Sequence, residues 1–184
     1  PEGDDFSVDE IVDSVTQWDA VHVVLTGGEP MLFAELVPLC DRFRELNFHI
    51  TIETAGTLYL PLACDLMSIS PKLSNSTPSR EHSARWHQRH EDSRHVPKTI
   101  RRLVDEYDYQ FKFVVGSLAD AEEVIAYLDQ FPGVARSRVM LMPEGCDQTR
   151  LTDLQQWLEP FCQQRGLRFC PRRQIEWFGA VRGT

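Results

Sequence analysis

Polar and glycine residues gather directly after several short apolar runs of this sequence. Such runs, rich in β-branched side chains, are typical of buried strands. In proteins built on parallel strands, ligands bind at the carboxyl ends of the strands, so groups that follow different strands can meet in one pocket. The sequence therefore predicts a shared pocket. The groups concerned are Thr26-Gly27-Gly28-Glu29-Pro30, Glu53-Thr54-Ala55-Gly56-Thr57, Ser70-Pro71-Lys72, Gln110 with Lys112, and Pro143-Glu144-Gly145.

The paired glycines Gly27 and Gly28 have the strongest chemical implication. Without side chains, their backbone can approach a ligand closely and adopt positive φ. Their carbonyl groups could accept hydrogen bonds from an ammonium group, with negative charge nearby from Glu29. A methionine-like α-amino group fits that arrangement. The alternative is a tight strand-to-helix turn in which Glu29 is a solvated acid favoured by the helix dipole.

Gln110 and Lys112 share one face of the predicted strand 109–115, because side chains alternate along a strand. A parallel strand is normally covered on both faces, so these groups would point into a core or a barrel interior. Burying an unpaired amide and ammonium costs several kcal/mol, on the order of 2–7 for the amide. A polar or anionic ligand would offset that cost. The alternative is an edge strand with one wet face. Ser70 and Lys72 alone would be ordinary loop residues.

Strand and helix patterns alternate along the chain, which predicts βα units around a mostly parallel sheet. Ser7 and Glu10 have the spacing of a capping box, and Ser117 is a second N-cap. An open Rossmann-type sheet and a partial (β/α) barrel both suit this alternation, and we expect one domain over residues 1–184. The predicted strands are 21–25, 49–53, 65–69, 109–115 and 139–142; the predicted helices are 7–18, 31–46, 97–107, 117–130 and 151–165, with a loop and short helix in 78–95.

Composition limits the classes of protein that this chain can belong to. It has 184 residues, 42% hydrophobic and 26% charged, with a net charge of −9, as in a globular protein that does not attract nucleic acid over its whole surface. No apolar run suits a membrane helix, and the acidic residues 1–5 are no signal peptide. Five scattered cysteines do not form a disulfide framework, which indicates a reduced, cytoplasmic protein.

Residues 80–102 form a basic segment rich in histidine. One interpretation is a contact surface for nucleic acid, and another is a metal site that uses His87 and His90. That histidine pair has no carboxylate or cysteine at the spacing that completes a zinc site. We therefore prefer a solvated surface that offsets the acidic remainder, and we predict no metal ligands in this chain. The basic and histidine residues are Arg80, His82, Arg85, His87, Arg89, His90, Arg94, His95, Lys98, Arg101 and Arg102.

Taken in order, the motifs resemble those of 7-carboxy-7-deazaguanine synthases, a family of radical S-adenosylmethionine (SAM) enzymes. The resemblance covers essentially the whole chain, and it implies a partial (β/α) barrel and a homodimer. The matching motifs are Leu25-Thr26-Gly27-Gly28-Glu29-Pro30, Glu53-Thr54-Ala55-Gly56-Thr57, Ser68-Ile69-Ser70-Pro71-Lys72, Gln110-Phe111-Lys112-Phe113-Val114-Val115, Leu141-Met142-Pro143-Glu144-Gly145 and Trp177-Phe178-Gly179-Ala180-Val181-Arg182-Gly183-Thr184.

The resemblance implies a lyase reaction in queuosine biosynthesis, a tRNA modification pathway. 6-Carboxytetrahydropterin would be converted to 7-carboxy-7-deazaguanine with loss of ammonia. The implied cofactors are SAM, a [4Fe–4S] cluster and Mg²⁺, and the implied reductant is a flavodoxin or a ferredoxin. We expect no membrane partner and no direct binding of nucleic acid.

The resemblance also implies roles for individual residues. The cluster would need three thiolates close in sequence, and the catalytic residues stay unknown. Thr26, Glu53 and the terminal carboxylate of Thr184 would contact the substrate. The residues expected at SAM are Gly27, Gly28, Glu29, Ser70, Pro71, Lys72, Gln110, Phe111, Lys112 and Phe113.

Two departures from the family pattern affect these expectations. Gln174 stands where the family usually has a histidine. The CxxxCxxC loop is absent, and none of Cys40, Cys64, Cys146, Cys162 and Cys170 replaces it by spacing. We expect that an N-terminal segment with the cluster and Mg²⁺ ligands is missing, and that the chain as written is inactive. The alternatives are another radical SAM enzyme of the activase type and a non-enzymatic SAM- or RNA-binding relative.

Overall fold

The computed structural model describes residues 4–79, 81 and 83–180. The chain divides into two compact units. The first unit consists of Pro1–Ile69 and Lys98–Tyr109, and the second of Ser70–Pro97 and Gln110–Thr184. The single domain over residues 1–184 stays a prediction, and each unit is described by itself below.

Helices and strands alternate through most of the described chain. Short 3₁₀ turns lie at Pro30–Leu32, Ser74–Ser76 and Arg136–Arg138. The regular elements are α1 (Val8–Thr16), β1 (His22–Leu25), α2 (Leu36–Glu45), β2 (His49–Thr54), β3 (Leu66–Ile69), α3 (Ala84–Ser93), α4 (Pro97–Glu106), β4 (Tyr109–Val115), α5 (Leu118–Leu128), β5 (Val139–Pro143), α6 (Gln148–Arg165), β6 (Arg168–Phe169) and α7 (Arg173–Phe178).

All the strand pairs inside the two units are parallel. In the first unit β2 lies between β1 and β3, with Leu25 opposite Ile52 and Glu53 opposite Ser68. In the second unit β5 lies between β4 and β6, with Lys112 opposite Met140. The predicted α/β class with mostly parallel strands is therefore confirmed.

Each unit covers one face of its strands with apolar side chains. In the first unit Ile50 and Ile52 of β2 are fully buried, and so are Cys40 and Phe43 of α2, which packs on that strand. The opposite face is more open: Val24 of β1 is 56% exposed. In the second unit the alternation is the same. Phe111, Phe113, Val115, Leu141 and Leu158 are buried, whereas Val114 is 37% exposed.

Side-chain caps set the beginnings of several helices, of which three bear on the predictions. The Ser7 hydroxyl accepts from the backbone N–H of Glu10, whose carboxylate accepts from the backbone of Ser7. Ser117 and Asp120 make the same reciprocal pair at α5. Both predicted N-caps are confirmed. Asp147 caps α6, which therefore begins at Gln148, three residues earlier than predicted.

The helix predicted over residues 31–46 is wrong in its first part. Pro30–Leu32 is a 3₁₀ turn, Phe33 is extended, and the α-helix begins only at Leu36. The Glu29 carboxylate explains the interruption, because it accepts from the N–H of Met31 and is also bonded to the end of β2. That tie holds the first turn near the strand ends. β6 and α7, which the sequence did not predict, are too short to give a periodic pattern.

None of the helices in the described part of the chain combines the length and the apolar character that a membrane span requires.

The turn after β2 depends on Gly56. Its φ is +76°, and a Cβ there would lie 3.0 Å from both Ile100 Cγ1 and Ile69 Cγ2. We therefore expect Gly56→Ala to lower the free energy of unfolding by about 2 kcal/mol, since left-handed backbone alone costs an alanine about 1–2 kcal/mol. Gly133→Ala is the matched control, because no atom lies within 4 Å of its added Cβ. Urea unfolding of both variants measures the difference, and equal stabilities would contradict the packing described for Gly56.

Candidate functional site

The glycine loop, Thr26–Glu29, follows β1 in the first unit. Gly27 and Gly28 have φ values of +110° and +58°, and no atom lies within 4 Å of an added Cβ at either position. Both residues are exposed. The left-handed backbone requires glycine here, and the empty surroundings leave the backbone of the loop open to a ligand.

The Glu29 carboxylate is half-buried and hydrogen-bonded to the protein. The Thr54 hydroxyl lies 2.8 Å from Glu29 Oε1 and 2.9 Å from Oε2. The N–H of Ala55 donates to Oε2 at 2.9 Å, and the N–H of Met31 donates to Oε1 at 3.3 Å. The alternative interpretation of Glu29 as a solvated acid is therefore wrong, although Glu29 does precede a short helical turn.

Thr26 and Glu53 also meet at the carboxyl ends of β1 and β2. The Thr26 hydroxyl donates to Glu53 Oε2 at 3.3 Å. Thr26 and Gly27 border a largely apolar cleft of about 790 Å³, whose walls include Phe6, Ile11 and Phe33. A volume of this size falls in the range of small-molecule sites, about 300–1,000 Å³. The first unit therefore brings Thr26 and Glu53 together at its two strand ends, with Thr26 and Gly27 beside a ligand-sized cleft.

The second unit forms a smaller pocket of about 110 Å³. Ser70, Pro71 and Lys72 line it from one side, and Lys112 of β4 lines it from another. The loop is held in place because Arg94 donates to the Lys72 carbonyl at 3.0 Å and Asn75 Nδ2 donates to the Val114 carbonyl at 3.0 Å. The pocket is too small for a nucleoside. It can hold a carboxylate or a pair of hydroxyl groups beside two lysines.

Gln110 and the two phenylalanines lie on opposite faces of β4. Gln110 is half-buried, lies on the strand face that Lys112 shares, and is not among the residues that line the pocket. Phe111 and Phe113 are buried on the other face, with ring centroids 5.9 Å apart and Phe113 packed edge-on to Tyr127. The side chains of both phenylalanines belong to the core. Phe111 could therefore reach a ligand above the open face only through its backbone. Phe113 is among the residues that border the pocket. β4 pairs with β5 along its length, and its open face is partly exposed at Val114.

Glu144, one of the strand-end residues predicted to face a pocket, lines the same pocket, although the resemblance implied no role for it. Arg150 holds it, with Nη2 2.9 Å from Glu144 Oε2 and Nε donating to the Glu144 carbonyl at 3.3 Å. A Cβ on Gly116 would lie only 2.5 Å from Glu144 Oε2, so the glycine leaves room for the carboxylate. Its position directly after β5 was the signal that placed it in that group. Thr54 likewise stood in a predicted strand-end group, without a role of its own.

The cysteines of the described chain do not fit an iron–sulfur cluster. Burial raises the pKa of the Cys40 thiol to about 12, with further contributions from Cys64 and Asp41, and raises that of Cys162 to about 11. Cluster ligands must be thiolates. Within residues 4–79, 81 and 83–180, no three Cys, His, Asp or Glu side chains gather closely enough to hold a metal ion.

The histidines of the basic segment contact the protein itself. His87 Nδ1 lies 2.9 Å from the Pro78 carbonyl, and His95 Nε2 lies 3.1 Å from Gln130 Oε1. His90 lies between Ser76 and Thr77, at 3.5 and 3.4 Å. Gln174 is exposed on α7. Arg80, His82 and Thr184, which the sequence analysis singled out, lie outside the described residues.

The chain resembles known proteins in sequence and in fold. No family model matches the chain. It is 39% identical to a 7-carboxy-7-deazaguanine synthase from Rhodopirellula baltica, over 100% of this chain and 72% of that protein. It is 37% identical to one from Halobacterium salinarum, over 92% and 70%. Among solved structures, QueE from Escherichia coli matches with a TM-score of 0.64 and 22% identity, over 91% of this chain and 64% of that chain.

The fold is that of an α/β protein with mostly parallel strands and is similar to the fold of QueE, as the sequence predicted. By sequence, the chain belongs to the 7-carboxy-7-deazaguanine synthase family, whose enzymes serve queuosine biosynthesis. The resemblance inferred from the motifs is confirmed. The chain spans about two thirds of the length of the QueE chain that it matches.

The burial of the thiols predicts their order of reaction. Cys146 is exposed, whereas Cys40 and Cys162 are buried and have raised pKa values. At pH 8 we expect an aromatic disulfide reagent to label Cys146 rapidly and to label Cys40 and Cys162 only after unfolding. Mass spectrometry of the labelled peptides gives the order. Cys146→Ala is the control and should remove the fast phase; a fast phase at Cys40 in the folded protein would contradict the structure.

Proposed function

We propose that this chain forms the SAM- and substrate-binding part of an enzyme that converts 6-carboxytetrahydropterin to 7-carboxy-7-deazaguanine with loss of ammonia. The observation that carries the proposal is the 39% identity over the full chain to a relative of that name. The site geometry adds support, because Thr26 and Gly27 border a cleft of suitable size and Thr26 contacts Glu53 at the end of β2.

The glycine loop suits the α-amino group of SAM. An ammonium group donates up to three hydrogen bonds, and the exposed backbone at Gly27 and Gly28 can offer carbonyl acceptors without a side chain in the way. A role of the second unit in binding SAM rests on the resemblance; within that unit, Lys72 and Lys112 line a pocket that suits a small anionic group. Ser70 and Glu144 beside them suit hydroxyl groups such as those of a ribose.

Thr26 and Glu53 suit the pterin. Its ring system presents adjacent N–H donors, which a carboxylate can accept together, as it does from a guanidinium group. The Thr26 hydroxyl already donates to Glu53 Oε2 and so fixes one oxygen of that carboxylate. We therefore assign substrate orientation to this pair. The contact of Thr184 with substrate is part of the same proposal.

Radical chemistry on SAM needs an electron, which a [4Fe–4S] cluster supplies when it is bound. The described residues do not fit such a cluster, so no step is assigned to it here. Mg²⁺, a flavodoxin or ferredoxin reductant, a homodimer and a cytoplasmic location are further proposals that rest on the resemblance.

The activity is tested on the intact gene product, reconstituted with iron and sulfide and supplied with reductant, SAM and 6-carboxytetrahydropterin. We expect 7-carboxy-7-deazaguanine, identified by mass spectrometry. Omission of the pterin is the control. An enzyme that cleaves SAM and yields no deazaguanine would refute the substrate, whereas a clustered protein without any SAM cleavage would refute the enzyme class.

Gly28→Val tests the assignment of the glycine loop. Valine would place a side chain in the open space at the loop and would strain a φ of +58°. We expect the affinity for SAM, measured by calorimetry, to fall at least about tenfold, equal to about 1.4 kcal/mol of binding free energy. Gly133→Val is the control, because its surroundings are also open and it lies outside the proposed site. Unchanged affinity in Gly28→Val would remove the loop from the site.

A further inference from the structure

Most acceptor sites of the Glu29 carboxylate are occupied by donors of the protein. A carboxylate has about four lone-pair sites, and three protein donors reach this one. They are the N–H groups of Met31 and Ala55 and the hydroxyl of Thr54. Met31 follows the glycine loop, whereas Thr54 and Ala55 end β2 and begin its loop. The carboxylate thus ties together two segments that are 25 residues apart in sequence.

Thr54 is the buried partner in the hydrogen bond with Glu29. It is only 2% exposed. Its hydroxyl has a single proton, which it donates to Glu29, and its oxygen accepts from the N–H of Gly56 at 3.0 Å. Both functions of the hydroxyl are therefore used, and they fix the direction in which the Glu29 side chain leaves the loop.

Gly28 directly precedes Glu29, so anything that fixes Glu29 limits the backbone of the loop. Two consecutive glycines have little intrinsic preference for one conformation. A loop that must be ordered when its ligand binds loses affinity, whereas one that is already ordered does not. The contacts of Glu29 supply that order from the carboxyl end of the loop.

We infer that Glu29 and Thr54 form a clamp that positions the Gly27–Gly28 backbone for SAM, and that Glu29 is a positioning residue rather than a direct ligand. This inference rests on the proposed function of the glycine loop. It revises the expectation that the Glu29 carboxylate itself attracts the ammonium group, because that carboxylate is directed at protein N–H and O–H donors.

Thr54→Val and Thr54→Ser form the test pair. Valine keeps the shape of threonine and removes the hydroxyl, so the clamp loses its buried donor; serine keeps the hydroxyl. In the reconstituted enzyme we expect Thr54→Val to raise the dissociation constant of SAM about tenfold. Thr54→Ser should stay within about twofold of the wild type. The apparent KM for SAM should follow the dissociation constant, while that for the pterin stays unchanged. Thr99→Val, on half-buried α4 surface of the same unit, controls for a general effect of the substitution.

A second variant tests the Glu29 half of the clamp, and Thr54→Val separates the clamp from direct ligation. Glu29→Gln turns one oxygen into an N–H₂ group that faces other donors, so the clamp model predicts a loss of SAM affinity similar to that of Thr54→Val. If Glu29 bound SAM directly, Thr54→Val would leave its carboxylate free and the affinity would be kept or improved. That result would overturn the inference. Circular dichroism and thermal unfolding confirm that each variant is folded, and Thr54→Ala, which also lacks the hydroxyl, replaces Thr54→Val if the valine variant does not fold.

The failure of this inference differs from the failure of the proposed function. If the wild-type enzyme does not bind SAM, the proposed function fails. If the wild type binds SAM, and Thr54→Val and Glu29→Gln bind it equally well, the clamp is refuted while the site stands.

Discussion

Parallel pairing of β1 with β2 is the constraint on which the candidate site of the first unit depends. It brings the carboxyl ends of the two strands to the same edge, where Thr26 meets Glu53 and Glu29 meets Thr54. An antiparallel pair would place these motifs at opposite ends. The register is fixed by burial, because Ile50 and Ile52 face α2 and a shift by one residue would expose them. The hydrophobic core of the unit thus determines where its polar residues lie.

The residues at that edge have different structural roles. Glycines supply backbone that is open to a ligand, and a half-buried carboxylate bonded to both loops holds that backbone. Gly56 lets the second loop turn sharply enough for the N–H groups after Thr54 to point back. The glycines, the carboxylate and Gly56 could each be present for the stability of the turns alone. Their combination beside a cleft of about 790 Å³ favours ligand binding.

In the second unit, charged side chains line the candidate pocket. Lys72 and Lys112 line a pocket with Glu144, in a chain whose net charge is −9. Arg150 pairs with the Glu144 carboxylate at 2.9 Å and so balances its charge beside the two lysines. The buried thiols, by contrast, stay protonated and take no part in such chemistry.

The sequence by itself determined the features that depend on neighbouring residues. Caps at Ser7 and Ser117, the alternation along β4 and the glycine pair with positive φ act over a few residues, so their patterns predicted them. The ordered motifs identified the family for the same reason. The alternation separated Gln110 and Lys112 from the phenylalanines, and only the resemblance placed Phe111 and Phe113 at SAM; in the structure their rings are buried in the core.

Only the tertiary structure decided the contacts between distant segments. Thr54 was one polar residue in a motif until the end of β2 met Glu29, 25 residues earlier. That contact also broke the predicted helix at Phe33, because the carboxylate bonds to Met31 and keeps the chain at the strand ends. Glu144 likewise became a site residue when β4 and β5 paired and Arg150 fixed its side chain. Such contacts follow from the packing of whole elements, which no local pattern of residues records.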